Sequence, residues 1–280
     1  LKRRFIQCDV FSETPGKGNG LAVILDGEGL STEEMLSFAA WTNLAETTFL
    51  LPPTKPEADY RVRIFTPGRE MLFAGHPTLG SCMSWLHAGG SAKTQGLVRQ
   101  ECAIGLVDID VSGADPAFVA PDTSIAEMPA EPRGLRQSAM SLDASKIKST
   151  IHLNNGPEWF LFELTSAADV LAVDSRTTQW PQHAGTTLIG AHPAGSECDY
   201  EVRNIAPSSG MSEDPITGSL NSAIAKWLAH QGRLTDEVLI AQGTNIGRIG
   251  RVSLKPDVND PDKHWIGGAV NILIEGTVDI

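Results

Sequence analysis

From Phe5 to Phe11 apolar and polar residues alternate with a period of two, which predicts an opening strand. Turn formers fill 12–20, and Leu21 to Leu25 reads as a second strand. Ser31-Thr32-Glu33-Glu34 has the spacing of a capping box, and Met35, Leu36, Phe38 and Ala39 give the following helix a buried face ending near Thr42-Asn43. Ala45 to Leu51 is a β-branched, apolar strand headed by the carboxylate of Glu46, and Tyr60 to Thr66 alternates again. A helical pattern then runs from Gly75 to Leu86 and closes at Gly89-Gly90. A hairpin around Gly105 and a short strand at 117–120 follow, and 130–143, of mixed polarity with prolines in front, reads as a linker. Beyond it come strands at 151–154 and 159–164, a short helix at 167–173, and strands at 186–189 and 200–205. A second long helix ends near Gln231-Gly232, and strands at 238–240, 249–254 and 265–280 complete the chain.

Much of this pattern occurs twice. Thr47-Thr48-Phe49-Leu50 leading to Pro53 is answered by Thr186-Thr187-Leu188-Ile189 leading to Pro193. Tyr60-Arg61-Val62-Arg63 before Pro67 is answered by Tyr200-Glu201-Val202-Arg203 before Pro207. Gly75-His76-Pro77-Thr78-Leu79-Gly80-Ser81 is answered by Glu213-Asp214-Pro215-Ile216-Thr217-Gly218-Ser219, each opening an apolar helix. The offset is about 140 residues throughout, too long for a solenoid repeat and suited to a duplicated domain. Strands outnumber helices and many connections are short, so the expected architecture is α+β: two pseudo-symmetric domains, each a curved, mostly antiparallel sheet wrapped around a central helix. The domains are expected at 1–128 and 129–264, with the last strand, 265–280, joining the first.

A chain of 280 residues can bury two cores. Its net charge of −12 speaks against a nucleic-acid or acidic-membrane partner, since phosphate backbones need clustered Lys and Arg. Cys8, Cys82, Cys102 and Cys198 have no CxxC spacing and fit buried thiols in the cytoplasm. No apolar run is long enough to span a membrane. The seven His lack ligand spacing, so no metal site is expected, and Gly16-Lys17-Gly18-Asn19-Gly20 lacks the spacing of a phosphate loop.

The candidate chemistry lies where the two copies differ. Placed on a pseudo-twofold axis, equivalent positions would mirror each other around a cleft, with both helix openings, at 75–81 and at Gly218-Ser219, offering backbone N–H groups to an anion. His76 is answered by Asp214, and Glu46 by Gly185, so only the first copy carries that carboxylate. A racemase wants matched groups on both faces of a carbon, whereas one unmatched acid suits an isomerase that lifts a proton and returns it elsewhere on the same molecule. Glu46 can equally be a solvated strand-end glutamate, His76 a helix cap, and Asp214 or Ser219 ordinary helix-opening residues; their joint occurrence at equivalent positions favours the functional reading.

Taken together, Ala45-Glu46-Thr47-Thr48-Phe49, Arg63-Ile64-Phe65-Thr66-Pro67, Ala74-Gly75-His76-Pro77-Thr78-Leu79-Gly80, Glu213-Asp214-Pro215-Ile216-Thr217-Gly218-Ser219 and Gly267-Gly268-Ala269-Val270 resemble the phenazine-biosynthesis PhzF-like family. That resemblance implies a diaminopimelate-epimerase-like fold, a cofactor-independent isomerase, a small anionic organic substrate of the dihydro-hydroxyanthranilate type, and a homodimer. It implies Glu46 as the proton shuttle, His76 and Asp214 as further catalytic residues, and Gly75, Gly218 and Ser219 as substrate contacts. Gly20 follows Asn19 where the family commonly has Asn-Pro, implying a looser wall there. Cysteines, which thiol-dependent epimerases of this fold place at the helix openings, are missing from those positions, and Cys82 falls inside the helical pattern. The competing expectations are an epimerase or racemase using Glu46 and Asp214 as opposed bases, and a small-ligand-binding protein on the same scaffold.

Overall fold

The structure, a computed structural model, describes residues 1–176, 185–205 and 213–280. Pro207, which answers Pro67 in the repeat, lies outside the described residues. The chain forms two compact units, one of Leu1–Val119 with Gly267–Ile280, the other of Ala120–Ile266.

The first unit runs β1 (Lys2–Val10), β2 (Asn19–Ile24), α1 (Thr32–Thr42), β3 (Glu46–Leu51), β4 (Tyr60–Phe65), β5 (Glu70–Met71), α2 (Gly75–His87), β6 (Leu97–Cys102), β7 (Gly105–Asp110) and β8 (Ala117–Val119). The second runs β9 (Ser124–Glu127), α3 (Ala130–Ala139), β10 (Ile147–Asn154), β11 (Glu158–Leu164), α4 (Ala167–Ala172), β12 (Thr186–Ala191), β13 (Tyr200–Ile205), α5 (Gly218–His230), β14 (Val238–Gln242), β15 (Gly250–Pro256) and β16 (His264–Gly267). The chain ends in β17 (Val270–Asp279), which pairs antiparallel with β1 along its length, with a register shift between Gln7 and Cys8.

Both units share one pairing scheme, and connection length explains it. Hairpin partners β1 and β2, β10 and β11, β3 and β4, β12 and β13 are antiparallel. Where a helix intervenes the next strand returns in the same direction: β2 pairs parallel with β3 across α1, β11 with β12 across α4, β4 with β6 across α2, and β13 with β14 across α5. This is a mixed architecture of large sheet and few helices, as the patterning predicts.

Local chemistry sets the element ends. Ser31 Oγ accepts from the Glu34 N–H at 3.2 Å and the Glu34 carboxylate accepts from the Ser31 N–H at 2.8 Å, so the capping box that opens α1 is complete. Behind α1, Ile24, Met35, Ala39, Phe49 and Phe65 form an apolar cluster, and Met128, Met140, Phe162, Leu164, Val170, Leu188 and Ile205 form one in the second unit. The central helix α2 lies on β1, β2 and β3, and α5 on β15 and β10.

The segment 130–143 is not a linker: α3 occupies most of it, inside the second unit. Its pattern is inverted, with Leu135 half-exposed and Arg136 buried, the guanidinium lying 3.5 Å from the centroid of the Phe160 ring. A charged residue that packs inward and an apolar one that faces out hide the helix from a periodicity reading. Pro132 is tolerated because it stands in the first turn, where an N–H has no helical partner.

Candidate active site

In the first unit the head of β3 meets the opening of α2. Glu46, whose side chain is 17% exposed, brings Oε2 to 3.4 Å from His76 Nε2, and the other ring nitrogen of His76 lies 3.4 Å from the Asn19 amide. Burial drives the His76 imidazole down from 6.5 to about 3, against the opposing pull of a Gly20 backbone hydrogen bond. The ring is therefore neutral at physiological pH and offers hydrogen bonding without adding charge. Gly75 is the first residue of α2 and no side chain caps the helix, which leaves its opening to other acceptors. A Cβ at Gly20 would meet only Leu44 Cδ2 at 3.7 Å, so the space beside that residue is open.

Gly80 and Ser81 do not stand at a helix start. Because α2 begins at Gly75, they fall in its second turn and are fully buried, with Ser81 Oγ 2.9 Å from Thr48 Oγ1. Gly80 is needed for close approach, since a Cβ there would lie 2.5 Å from Leu21 Cδ2 and 2.9 Å from Cys8 Sγ.

In the second unit the matching residues do open the helix. Thr217 is the residue before α5, and Gly218 and Ser219 are its first two residues, again with no side-chain cap. Asp214 is half-buried three residues upstream and accepts a hydrogen bond from Thr217 Oγ1 on Oδ2. Desolvation pushes its carboxyl above the ordinary aspartate range, while the Thr217 and Asn204 hydrogen bonds pull it down and neighbouring Glu213 pushes it up. Asn155 Nδ2 donates to the Ser219 carbonyl at 2.7 Å and is itself held by the Trp159 indole at 2.9 Å.

Glu46, His76 and Gly75 are thus brought together in one unit, and Asp214, Gly218 and Ser219 in the other. Sequence reasoning placed Asn19 only as the residue before Gly20 and missed Asn155, Asn204 and Gln242; all four bond to these groups. A signal existed for one of them: Leu97-Val98-Arg99-Gln100 is answered by Leu239-Ile240-Ala241-Gln242 at nearly the repeat offset. Among the described residues, no three His, Cys, Asp or Glu side chains gather as a metal site would require.

The model of the PhzC-PhzF family, described as phenazine biosynthesis-like protein, matches residues 8–276. The chain belongs to this family. A curated relative, the antisense-enhancing sequence 1 of Schizosaccharomyces pombe, is 32% identical over 97% of this chain and 97% of its own. The trans-2,3-dihydro-3-hydroxyanthranilate isomerase of Pseudomonas aeruginosa is 31% identical over 89% of this chain and 88% of its own. Among solved structures, a PhzF-family phenazine biosynthesis protein of Bacillus anthracis superposes with a TM-score of 0.82 at 20% identity, each chain fully covered. A hydroxyproline epimerase of Agrobacterium vitis, at TM-score 0.62 and 14% identity over 99% of this chain and 92% of its own, shares the fold alone. This chain is accordingly an isomerase of the PhzF-like family on an epimerase-like fold.

Proposed function

We propose that the chain moves a proton within a small carboxylate-bearing ring compound, trans-2,3-dihydro-3-hydroxyanthranilate or a close analogue, with Glu46 as the acid and base. The observation that carries this reading is the Glu46 carboxylate, largely buried and 3.4 Å from a neutral imidazole at a helix opening. A carboxylate so placed can take a proton from one substrate carbon as that C–H electron pair shifts into the π system, becoming the acid. It then returns the same proton to a second carbon of the conjugated system, and the carboxylate is regenerated with no net gain or loss of atoms. His76 contributes as a neutral hydrogen-bonding partner beside the carboxylate. A helix opening in each unit, with the Gly75 N–H in the first and the Gly218 N–H, Ser219 and Asp214 in the second, suits contact with a substrate's carboxylate or enolate-like oxygen. The four free, buried thiols suit a cytoplasmic setting.

The test is solvent deuterium incorporation into trans-2,3-dihydro-3-hydroxyanthranilate, followed by mass spectrometry for wild type and Glu46→Gln. Loss of a general acid–base group lowers the rate by about 10² to 10⁴-fold, and a drop of that size is expected. Equal incorporation by both proteins removes Glu46 from the role. An inverted centre with no double-bond shift would instead mark an epimerase, and tight binding without turnover by wild type a ligand-binding protein.

A further inference from the structure

The hydrogen bonds around Thr217 determine where its hydroxyl proton points. A hydroxyl has one proton to donate and two lone pairs. Asn204 Nδ2 and Gln242 Nε2 each lie 3.1 Å from Thr217 Oγ1, and both are donors. The lone pairs are thereby filled, and the remaining neighbour, Asp214 Oδ2, receives the proton.

The neighbours of each amide fix which end faces Thr217: Asn204 also hydrogen-bonds to the Asp214 carboxyl and so presents its nitrogen, and the far end of Gln242 meets two donors. Gln242 Oε1 accepts from the Thr217 N–H at 3.1 Å and from Asn221 Nδ2 at 2.9 Å. A backbone N–H can only donate, so the atom it meets is the oxygen. Asn221 agrees, since its Nδ2 also donates to the Thr217 carbonyl at 2.9 Å, a group that can only accept. The Gln242 side chain is fully buried, so water does not compete for these positions.

We propose that Gln242 is a positioning residue for Asp214: by donating to Thr217 Oγ1 it turns the hydroxyl proton onto Asp214 Oδ2 and holds that oxygen as the acceptor of the Thr217 hydrogen bond. This rests on the reading of Asp214 as a substrate contact. The first unit contains the same pair with a different endpoint. Gln100 Nε2 donates to Thr78 Oγ1 at 3.1 Å, and the Thr78 hydroxyl donates to the Ala74 carbonyl at 2.9 Å, so no acid is addressed. The charged neighbour that shifts Asp214 is Glu213, itself bonded to Arg203.

The experiment titrates the Asp214 carboxyl by ¹³C NMR in protein labelled at aspartate, assigned by its loss in Asp214→Asn. Thr217→Val should raise the midpoint by about one pH unit, tenfold in proton affinity, because the carboxylate loses a hydrogen bond to its charged form, and Gln242→Met should raise it by about half as much, because Thr217 then loses one of the two donors that aim its proton. Thr217→Ser keeps the hydroxyl and should titrate like wild type. The double variant should shift no further than Thr217→Val alone, since Gln242 acts through the hydroxyl. An unmoved midpoint in Gln242→Met, or shifts that add in full, would overturn the proposal. Should Gln242→Met not fold, neutron diffraction of the deuterated wild type decides: deuterium on Thr217 Oγ1 directed at Asp214 supports it, and any other direction refutes it. No turnover enters the measurement, so failure here and failure of the Glu46 reading are separate events.

Discussion

Each unit carries an arginine on the strand before its central helix, and each arginine holds a glutamate ahead of that helix with two hydrogen bonds. In the first unit Arg63 Nε and Nη2 donate to the two oxygens of Glu70, both at 2.7 Å. In the second Arg203 Nε and Nη2 donate to Glu213 at 3.0 and 2.8 Å. The bonds match but the surroundings do not: the side chains of the first pair are 25% and 38% exposed, those of the second 1% and 0%. Arg203 is also tied down by Nη1, which donates to the Val170 and Val173 carbonyls at 2.9 and 2.6 Å. Glu213 adjoins Asp214, so the buried clamp fixes the turn that carries the acid, whereas Glu70 lies on β5, short of the α2 opening. The same scaffold bond is present in both units, and it is buried in the one whose next residue is a half-buried carboxyl.

That contrast predicts unequal costs. Arg203→Met leaves Glu213 buried and unpaired, and removing one partner of a buried pair destabilises by about 3–5 kcal/mol. Urea unfolding measures it, and a variant as stable as wild type would show that the buried clamp is no stronger than the exposed one.

A second contrast is electrostatic. The first unit buries a histidine near its helix opening and the second half-buries an aspartate, and burial favours the neutral form of each. For His76 the sign follows from proton counting. Below about 6.5 the unfolded chain protonates this imidazole, while the folded chain does not until about 3. The unfolded state therefore binds more protons in that window, and stability falls as pH drops through it by up to about 1.4 kcal/mol per unit. Between pH 6.5 and 5 this amounts to about 2 kcal/mol at most, and His76→Asn should flatten the stability profile by that amount. Parallel profiles for variant and wild type would mean that His76 is already charged in the folded protein.

Much of this comparison was legible in the chain. The paired motifs around Tyr60 and Tyr200 mark β4 and β13, which pair in the same way with β3 and β12, and Ser31 with Glu34 marks the start of α1 within a residue. What was not legible has specific causes. Arg136 packs on Phe160 through a cation and a ring, which no hydrophobic period registers, so α3 read as a linker. Gly80-Ser81 and Gly218-Ser219 are the same two letters in the repeat, yet α2 starts a turn earlier and buries its pair, Gly80 against Leu21 and Cys8 and Ser81 on Thr48. The Thr217 network draws on Asn204, Asn221 and Gln242, contributed by β13, α5 and β14. Which amide faces which hydroxyl is decided by tertiary packing and not by spacing along the chain.

The exposed member of the arginine pair should do the least. Arg63 Nη2 also donates to Thr32 Oγ1 at 2.9 Å, and its guanidinium carbon lies 5.1 Å from the centroid of the Phe65 ring, so the side chain does more than pair with Glu70. These contacts remain open to water, and exposed ion pairs contribute about 0–1 kcal/mol. Methionine retains much of the apolar stem that covers Phe65, so Arg63→Met should cost less than about 1 kcal/mol. Added salt should narrow the gap to wild type further, because screening weakens an exposed pair and barely reaches a buried one. If Arg63→Met proved as costly as Arg203→Met in the same urea titration, exposure would not be what separates the two copies, and the Thr32 contact at the start of α1 would become the feature to examine.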